Sequence, residues 1–438
     1  MDQLSAHCGI AVETMQDMAA QLAADQPAAI YGRMGVSVCE FGTLNQWLVQ
    51  VINIASGNLD RVGGTMVPQP ALDTISLVGR GSVRTAQTVR GTMPSVMSEL
   101  PMVTFADEML RDEDDEERIR SLFVVTGNPV LSAPDGAKLD RALERLDLMV
   151  SFDMYVTATS RHADYILPPC GPLEKDHYPF FFGPLAIRNY ASYSPAIFEL
   201  QDGEKTDWEI IAELAREILA QDGQDVPNIR EPRDVLDGML RSSPAGLTLA
   251  EVEAAPNGID LGPLRPCMAE RLRTEDKMIH CAHPDFLAEL QRFAASLDNE
   301  QPDALRLIGR RHVRQNNSWL HNSKRLLKGR DRCTLMIHPD DAAARGLIDG
   351  GMASVTSRVN SVEILVEVTD DVMTGVVSIP HGFGHGRKGV GLSVAREKPG
   401  VSINDLTDTE VFDPLSGNAV LNAVSVTVEK IEALVAAE

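Results

Sequence analysis

The chain has 438 residues, 44% hydrophobic and 24% charged, which allows two to three domains of ordinary α/β composition. Its net charge of −23 argues against a basic nucleic-acid-binding face, so no nucleic-acid partner is expected. Its six cysteines are scattered without a CxxC pair, which argues against a disulfide framework and against a local zinc or iron–sulfur motif.

Along the chain, residues 9–25 place Ile10, Val12, Met15, Met18 and Leu22 at helical spacing and predict an amphipathic helix. AAIYG (28–32) predicts a short strand feeding a turn. FGTLNQWLVQVINIASGN (41–58) predicts a second helix that stops at Ser56-Gly57-Asn58, where glycine suits a left-handed helix end. DEMLRDEDDEERIR (107–120) reads as a solvated acidic helix. SLFVVTG (121–127) reads as a buried strand closed by Asn128-Pro129; a helix follows over 136–147, a strand over 147–155 and another over ADYILPP (163–169). Strand, helix, strand with loops at the strand ends predicts a doubly wound parallel sheet. Residues 204–245 read as partly helical and 245–302 as less regular. From about 303, short strands with glycine turns predict a β-rich, barrel-like domain. No apolar run reaches the roughly 18 residues that a membrane span needs. The amino terminus has neither a basic nor an apolar signal region. A cytoplasmic protein without a membrane span is therefore expected.

Some segments carry candidate chemistry. In open α/β sheets ligands sit beyond the carboxyl ends of the strands. There Gly127 would let a phosphate or ribose approach the backbone, and Asn128 offers a donor and an acceptor, although Asn-Pro also serves as ordinary turn chemistry. Asp153, the hydroxyls of Thr157 and Thr159, and Asp164 stand around consecutive strand ends. LIGRRHVRQNNSWLHN (307–322) concentrates Arg310, Arg311, His312, Arg314, Asn316, Asn317, His321 and Asn322, whose forks and amides suit phosphates and paired donors and acceptors. His381 and His385 stand four apart in HGFGHGRKGVG, but the intervening glycines argue against a helix that would present a zinc pair. The same segment lacks the Lys-Ser/Thr ending of a phosphate-binding loop. IHPDDAAARGL (337–347) reads as a capped helix. Without a GxGxxG after a strand, a nicotinamide dehydrogenase is disfavoured.

Taken in order, YGRMGVSVCEFGT (31–43), NIASGNLDRVGG (53–64), the GNP segment, the strand ending in Asp153, ADYILPPCGPLE (163–174), EAAPNGIDLGPLRP (253–266) and the 307–408 region resemble the molybdopterin dinucleotide oxidoreductases, the broad family of dimethyl sulfoxide reductase, nitrate reductase and formate dehydrogenase. The likeness is to the carboxy-terminal portion of the catalytic subunit. It implies an α/β molybdopterin dinucleotide-binding region over 1–245, an interdomain segment over 246–302 and a barrel-like molybdopterin dinucleotide-binding domain over 303–438. It implies molybdopterin guanine dinucleotide as cofactor, two per metal, with molybdenum or tungsten, and no iron–sulfur cluster within this chain. Carried over by residue, the cofactor contacts are Gly32, Gly35, Gly127, Asn128, Pro129, Asp153, Thr157, Asp164, Arg310, His312, Arg314, Asn316, Asn317, His321 and Asn404 of GVSINDLTD (400–408).

Family catalytic subunits also carry a Ser, Cys or selenocysteine metal ligand toward their amino ends. Neither Cys8 nor Cys39 has that context, and no catalytic residue is assigned. Three readings stay open: a partial catalytic subunit of a two-electron oxidoreductase, a non-catalytic cofactor-binding fragment, and one half of a split enzyme. The partners implied are an amino-terminal half or an electron-transfer subunit.

Overall fold

The computed structural model describes residues 1–24, 26–74, 83–297 and 304–432. The chain divides into two compact units. The first comprises Met1–Tyr31, Trp47–Gly81 and Pro169–Leu287; the second comprises Gly32–Gln46, Ser82–Pro168 and Ala288–Glu438.

In the first unit the amphipathic amino-terminal segment forms two helices, Asp2–Cys8 and Val12–Leu22. Gly9 at φ 70° ends the first of them. The strand expected at 28–32 does not form. Its backbone is held by side chains instead: Asn53 accepts from Ile30 N (2.9 Å) and donates to Ile30 O (2.9 Å), and Asn58 accepts from Ala28 N (3.0 Å). Two buried amides thus take the place of a neighbouring strand. The helices Asp207–Gln221 and Leu249–Glu253 each begin with a reciprocal capping box, Thr206/Glu209 and Thr248/Glu251. Arg188–Ala191 pairs antiparallel with Ile259–Pro263. Ala71, Leu72, Ala191, Leu240, Leu249 and Val252 form the core beneath.

In the second unit Ser121–Val125, Leu148–Phe152 and Tyr165–Ile166 make a parallel sheet in that order. The first strand is an edge rather than a buried strand: Phe123 is 44% and Val125 48% exposed. The third has only two residues, and Pro168-Pro169, which cannot donate to a ladder, follow it closely. The expected acidic helix stops at Met109. Arg111 then draws Glu108, Asp115 and Glu117 around itself at 2.8–3.1 Å, which relieves the like-charge crowding a continuous helix would impose.

Beyond residue 304 six strands close into a barrel: Met352–Thr356, Ser361–Val368, Thr334–Ile337, Val376–Pro380, Leu305–Arg310 and Val424–Lys430. Alternating inward residues fill it, among them Leu307, Leu335, Ile337, Ala353, Val355, Val377 and Ile379, all fully buried. The expected α/β parallel sheet followed by a barrel is therefore the architecture found. The helix Pro339–Ala344 is capped by His338 and closed by Gly346 at φ 63°. Among the described residues no helix is long and apolar enough to cross a membrane, and all six cysteines are free thiols.

Candidate functional site

All the candidate cofactor residues fall within the second unit. Gly127 and Asp153 leave the carboxyl ends of adjacent parallel strands, because Val125 is registered on Phe152. Thr126 turns the chain there with φ 51°, its N–H donating to Phe152 O. Asn128 precedes the short helix Pro129–Ser132, whose first position is set by proline. Asn128 Oδ1 accepts from the Thr159 hydroxyl at 2.8 Å, and that hydroxyl oxygen accepts from Val130 N at 3.0 Å. Thr159 is fully buried, so it ties the Gly-Asn-Pro loop to the loop after the next strand.

The other candidates of this layer sit differently. Burial pushes the Asp153 carboxyl above its ordinary value, against hydrogen bonds from Tyr155 and Met154 backbone, which leaves a carboxylate at the sheet edge costly to keep charged. The Thr157 hydroxyl is engaged in its own turn with Ser160 Oγ and the Thr159 and Ser160 amides. Asp164 accepts from Met149 N at 2.8 Å, toward the amino end of the strands, away from the edge that carries Asp153.

The barrel reaches this layer through the loop after Gly400. Asn404 is buried, and its amide donates to Leu131 O at 2.7 Å, closing the helix that Asn128 opens. Asp135 N donates to Thr407 O at 3.0 Å, and Arg387 donates to Asp405 at 2.6 Å. A Cβ on Gly136 would lie 2.4 Å from Val130 O, and one on Gly384 (φ 113°) 2.9 Å from Ser402 and 3.0 Å from Leu131. The Gly136 Cβ position also lies 2.8 Å from Asp405 Oδ1, so the two layers meet where glycine leaves room for the other's side chains. At the junction's rim Asp140 faces Arg161, His162 (2.6 Å) and Arg387 (3.7 Å). Burial opposes its charge, but His162 and Arg161 hold the carboxyl below its usual range.

The segment after the strand Leu305–Arg310 is divided between frame and presentation. Arg310 is part of the frame: its guanidinium donates to Ser378 O, Arg332 O and Thr334 O and Oγ1. Arg311 and Arg314 are exposed, His312 is half-buried, and Arg311 holds the Asn317 side-chain carbonyl. Asn316 and Asn317 both adopt left-handed backbone, φ 41° and 59°, which Asn tolerates better than most residues. Asn317 O lies 2.3 Å from where a Cβ of Gly382 (φ 94°) would stand. His321 Nδ1 lies 2.8 Å from His385 Nε2. Gln315 Oε1 and His321 Nε2 are buried and without a hydrogen-bond partner among the described residues. Both side chains line one small cavity, with Arg314, Arg332 and Lys398 also in its wall. Asn422 joins a further block: it accepts from Gly309 N (2.8 Å) and donates to Gly35 O (3.1 Å), while Gln46 donates to Gly32 O (3.4 Å).

Between 305 and 332 stand nine Lys or Arg residues and a single acid, Asp331, so this part of an acidic chain attracts anions. Exposed guanidinium forks, adjacent amides and unpaired buried polar atoms fit a large phosphate-bearing ligand with its own hydrogen-bond edge. Sequence reasoning marked Thr159 only as a hydroxyl near the strand ends and missed Gln315, Asn422 and the pairing of His385 with His321. None lies in a spaced motif; each becomes visible only when distant loops meet.

Comparison with known proteins gives this arrangement a family. Residues 4–217 match the family described as Molybdopterin oxidoreductase, and residues 305–425 the family described as Molydopterin dinucleotide binding domain. The F420-dependent formate dehydrogenase 2 subunit alpha of Methanococcus maripaludis is 25% identical over 97% of this chain and 61% of its own length. The trimethylamine-N-oxide reductase of Haemophilus influenzae is 23% identical over 86% of this chain and 51% of its own length. Among solved structures, acetylene hydratase from Pelobacter acetylenicus superposes with a TM-score of 0.70 at 16% identity, covering 97% of this chain and 63% of that one, which speaks for the fold. The chain spans 39% to 61% of the length of the formate dehydrogenase relatives. With the barrel as its dinucleotide-binding domain and the sheet loops set against it, the chain belongs to the molybdopterin oxidoreductases.

Proposed function

We propose that this chain binds molybdopterin guanine dinucleotide and serves as part of the catalytic subunit of an oxidoreductase performing two-electron chemistry at molybdenum or tungsten. The observation that carries this reading is the junction of Asn128, Thr159 and Asn404, which holds the Gly127 loop of the sheet against the barrel loop 402–408. Gly127, Asn128 and Asp153 would hold the nucleotide end of the cofactor. His312, Arg314, Asn316, Asn317 and His321 would hold the pterin and phosphate portions, and Gly32 and Gly35 would lie beside them. Arg310, Thr157, Asp164 and Asn404 would act by fixing those loops. When bound, the cofactor supplies the metal and its dithiolene sulfurs, which take up and release electron pairs. The chain's own residues position it, neutralise its phosphates and keep water from its buried edge.

Because the chain spans only part of the length of its relatives, redox activity is proposed for an assembly in which residues outside this chain complete the metal site and an electron-transfer subunit accepts the electrons. The same observation favours a second reading, a chain that binds the dinucleotide and does no redox work alone. Coexpression with the adjacent reading frames, followed by metal analysis and reduction of an artificial electron acceptor, separates the two. The first reading expects molybdenum or tungsten and turnover in the assembly; a metal-free assembly would defeat it. Metal and turnover in the isolated chain would defeat the second.

A further inference from the structure

Tyr178, Phe180 and, from the helix Pro232–Ser242, Leu236 and Met239 line a cleft of about 450 Å³. Small-organic-ligand sites have this size and these mostly apolar, aromatic walls, with a few polar groups that fix orientation. Every lining residue belongs to the first compact unit, and none is a candidate cofactor residue. The inference therefore stands apart from the redox reading.

The frame of the cleft is rigidly cross-linked. Asp176 takes a hydrogen bond from the Tyr193 hydroxyl, another from Arg233 at 2.6 Å and another from Ala196 N at 2.8 Å. Arg233 also bonds Glu253 at 2.8 Å and lies 5.3 Å over the Tyr193 ring. Burial opposes the charge on Asp176, yet these donors hold its carboxyl below the usual range, so its charge is spent within the wall.

Besides the exposed His177 ring, two polar groups of the lining remain uncommitted. Arg230 has no hydrogen bond or ion pair among the described residues, and the Tyr178 hydroxyl has no hydrogen-bond partner among them. Burial, with Tyr190 nearby, pushes the Tyr178 hydroxyl up to about 12, so it is a proton-bearing donor at neutral pH. The charged lining residues are Arg230 and Arg233 against Asp176, a net positive cleft on a chain of net charge −23.

We infer that this cleft binds a small organic carboxylate, its aromatic or branched aliphatic body between Phe180 and Met239 and its carboxylate between Arg230 and the Tyr178 hydroxyl. The apolar walls draw the body from water. A free guanidinium and a free phenol then select a carboxylate over a neutral head group.

The test is isothermal titration of the full chain with 4-phenylbutyrate and with the uncharged 4-phenylbutyramide, alongside size-exclusion chromatography. The carboxylate should bind once per chain and about tenfold or more tighter than the amide. Arg230→Gln, an exposed substitution, should leave the melting temperature unchanged and abolish the preference. Met239→Trp should fill the cleft and weaken both ligands, and should Met239→Trp fail to fold, Arg230→Gln still decides. Equal affinity for acid and amide, no binding at millimolar concentration, or a preference that survives in Arg230→Gln would overturn the inference. So would a dimer that Met239→Trp converts to monomer, since a second copy would then occupy the cleft.

Discussion

His321 Nδ1 and His385 Nε2 stand 2.8 Å apart, one from the segment after the strand Leu305–Arg310 and the other from the turn after the strand Val376–Pro380. Two neutral imidazoles satisfy this geometry, one ring donating and the other accepting; two imidazolium ions would both donate and lose the bond. His321 also lies against Phe383, with ring centroids 4.4 Å apart.

This pairing makes stability depend on pH. Burial pushes His321, His381 and His385 down to about 4, with nearby histidine and arginine charges adding to the shift. In the unfolded chain each titrates near 6.5. Between those values the unfolded state binds protons that the folded state does not. Stability is therefore complete above about pH 6.5 and falls as pH drops toward 4. Urea denaturation at pH 7.5 and pH 5 should show a loss of up to about 2 kcal/mol per histidine. The double variant His321→Asn/His385→Asn should show a smaller loss, and an unchanged pH slope would contradict this account.

Thr159→Val removes the hydroxyl that bridges Asn128 Oδ1 and Val130 N while keeping the shape. It should cost about 1–3 kcal/mol through unpaired buried groups, whereas Thr159→Ser should cost less. Chemical denaturation checks both, and a loss in Thr159→Ser as large as or larger than in Thr159→Val would show that the hydroxyl is not the dominant group.

Asn404→Leu should also cost about 1–3 kcal/mol, because the Leu131 carbonyl loses its side-chain donor at a buried junction. Proteolysis should then open the loop 400–408 more readily. Unaltered protection would argue that the loop is held by Arg387 and Thr407 alone.

Gly382→Ala sets a Cβ 2.3 Å from Asn317 O at a backbone angle of φ 94°. The strain and the forced shift should cost on the order of 1–3 kcal/mol. They should also displace the left-handed pair Asn316-Asn317, which a fluorescence change at Trp319 would report. Gly350→Ala, also at positive φ (73°) but with open space around it, should cost less and leave Trp319 unaffected.

The parts of the fold legible in the sequence are those written in local pattern. The helix Gly42–Ala55, the apolar strand Leu148–Phe152 and the capped helix Pro339–Ala344 follow from periodicity and capping. The expectations that failed were decided by distant partners. Residues 28–32 look like a strand until Asn53 and Asn58 claim their backbone, and residues 107–120 look helical until Arg111 gathers three carboxylates. At the site, the basic and amide-rich composition of 310–322 was visible. Which of its groups face inward was not, because Arg310 turns to carbonyls on neighbouring strands and His321 turns to a histidine 64 residues away.

Acid hydrolysis of the purified full-length chain from a molybdopterin-producing host, with the released nucleotides separated and counted against protein, tests the central claim most directly. The account predicts GMP in stoichiometric amount together with the oxidised pterin, and its loss on Asn128→Leu combined with Arg314→Leu in a chain that still folds. A folded chain that releases neither GMP nor pterin would contradict it.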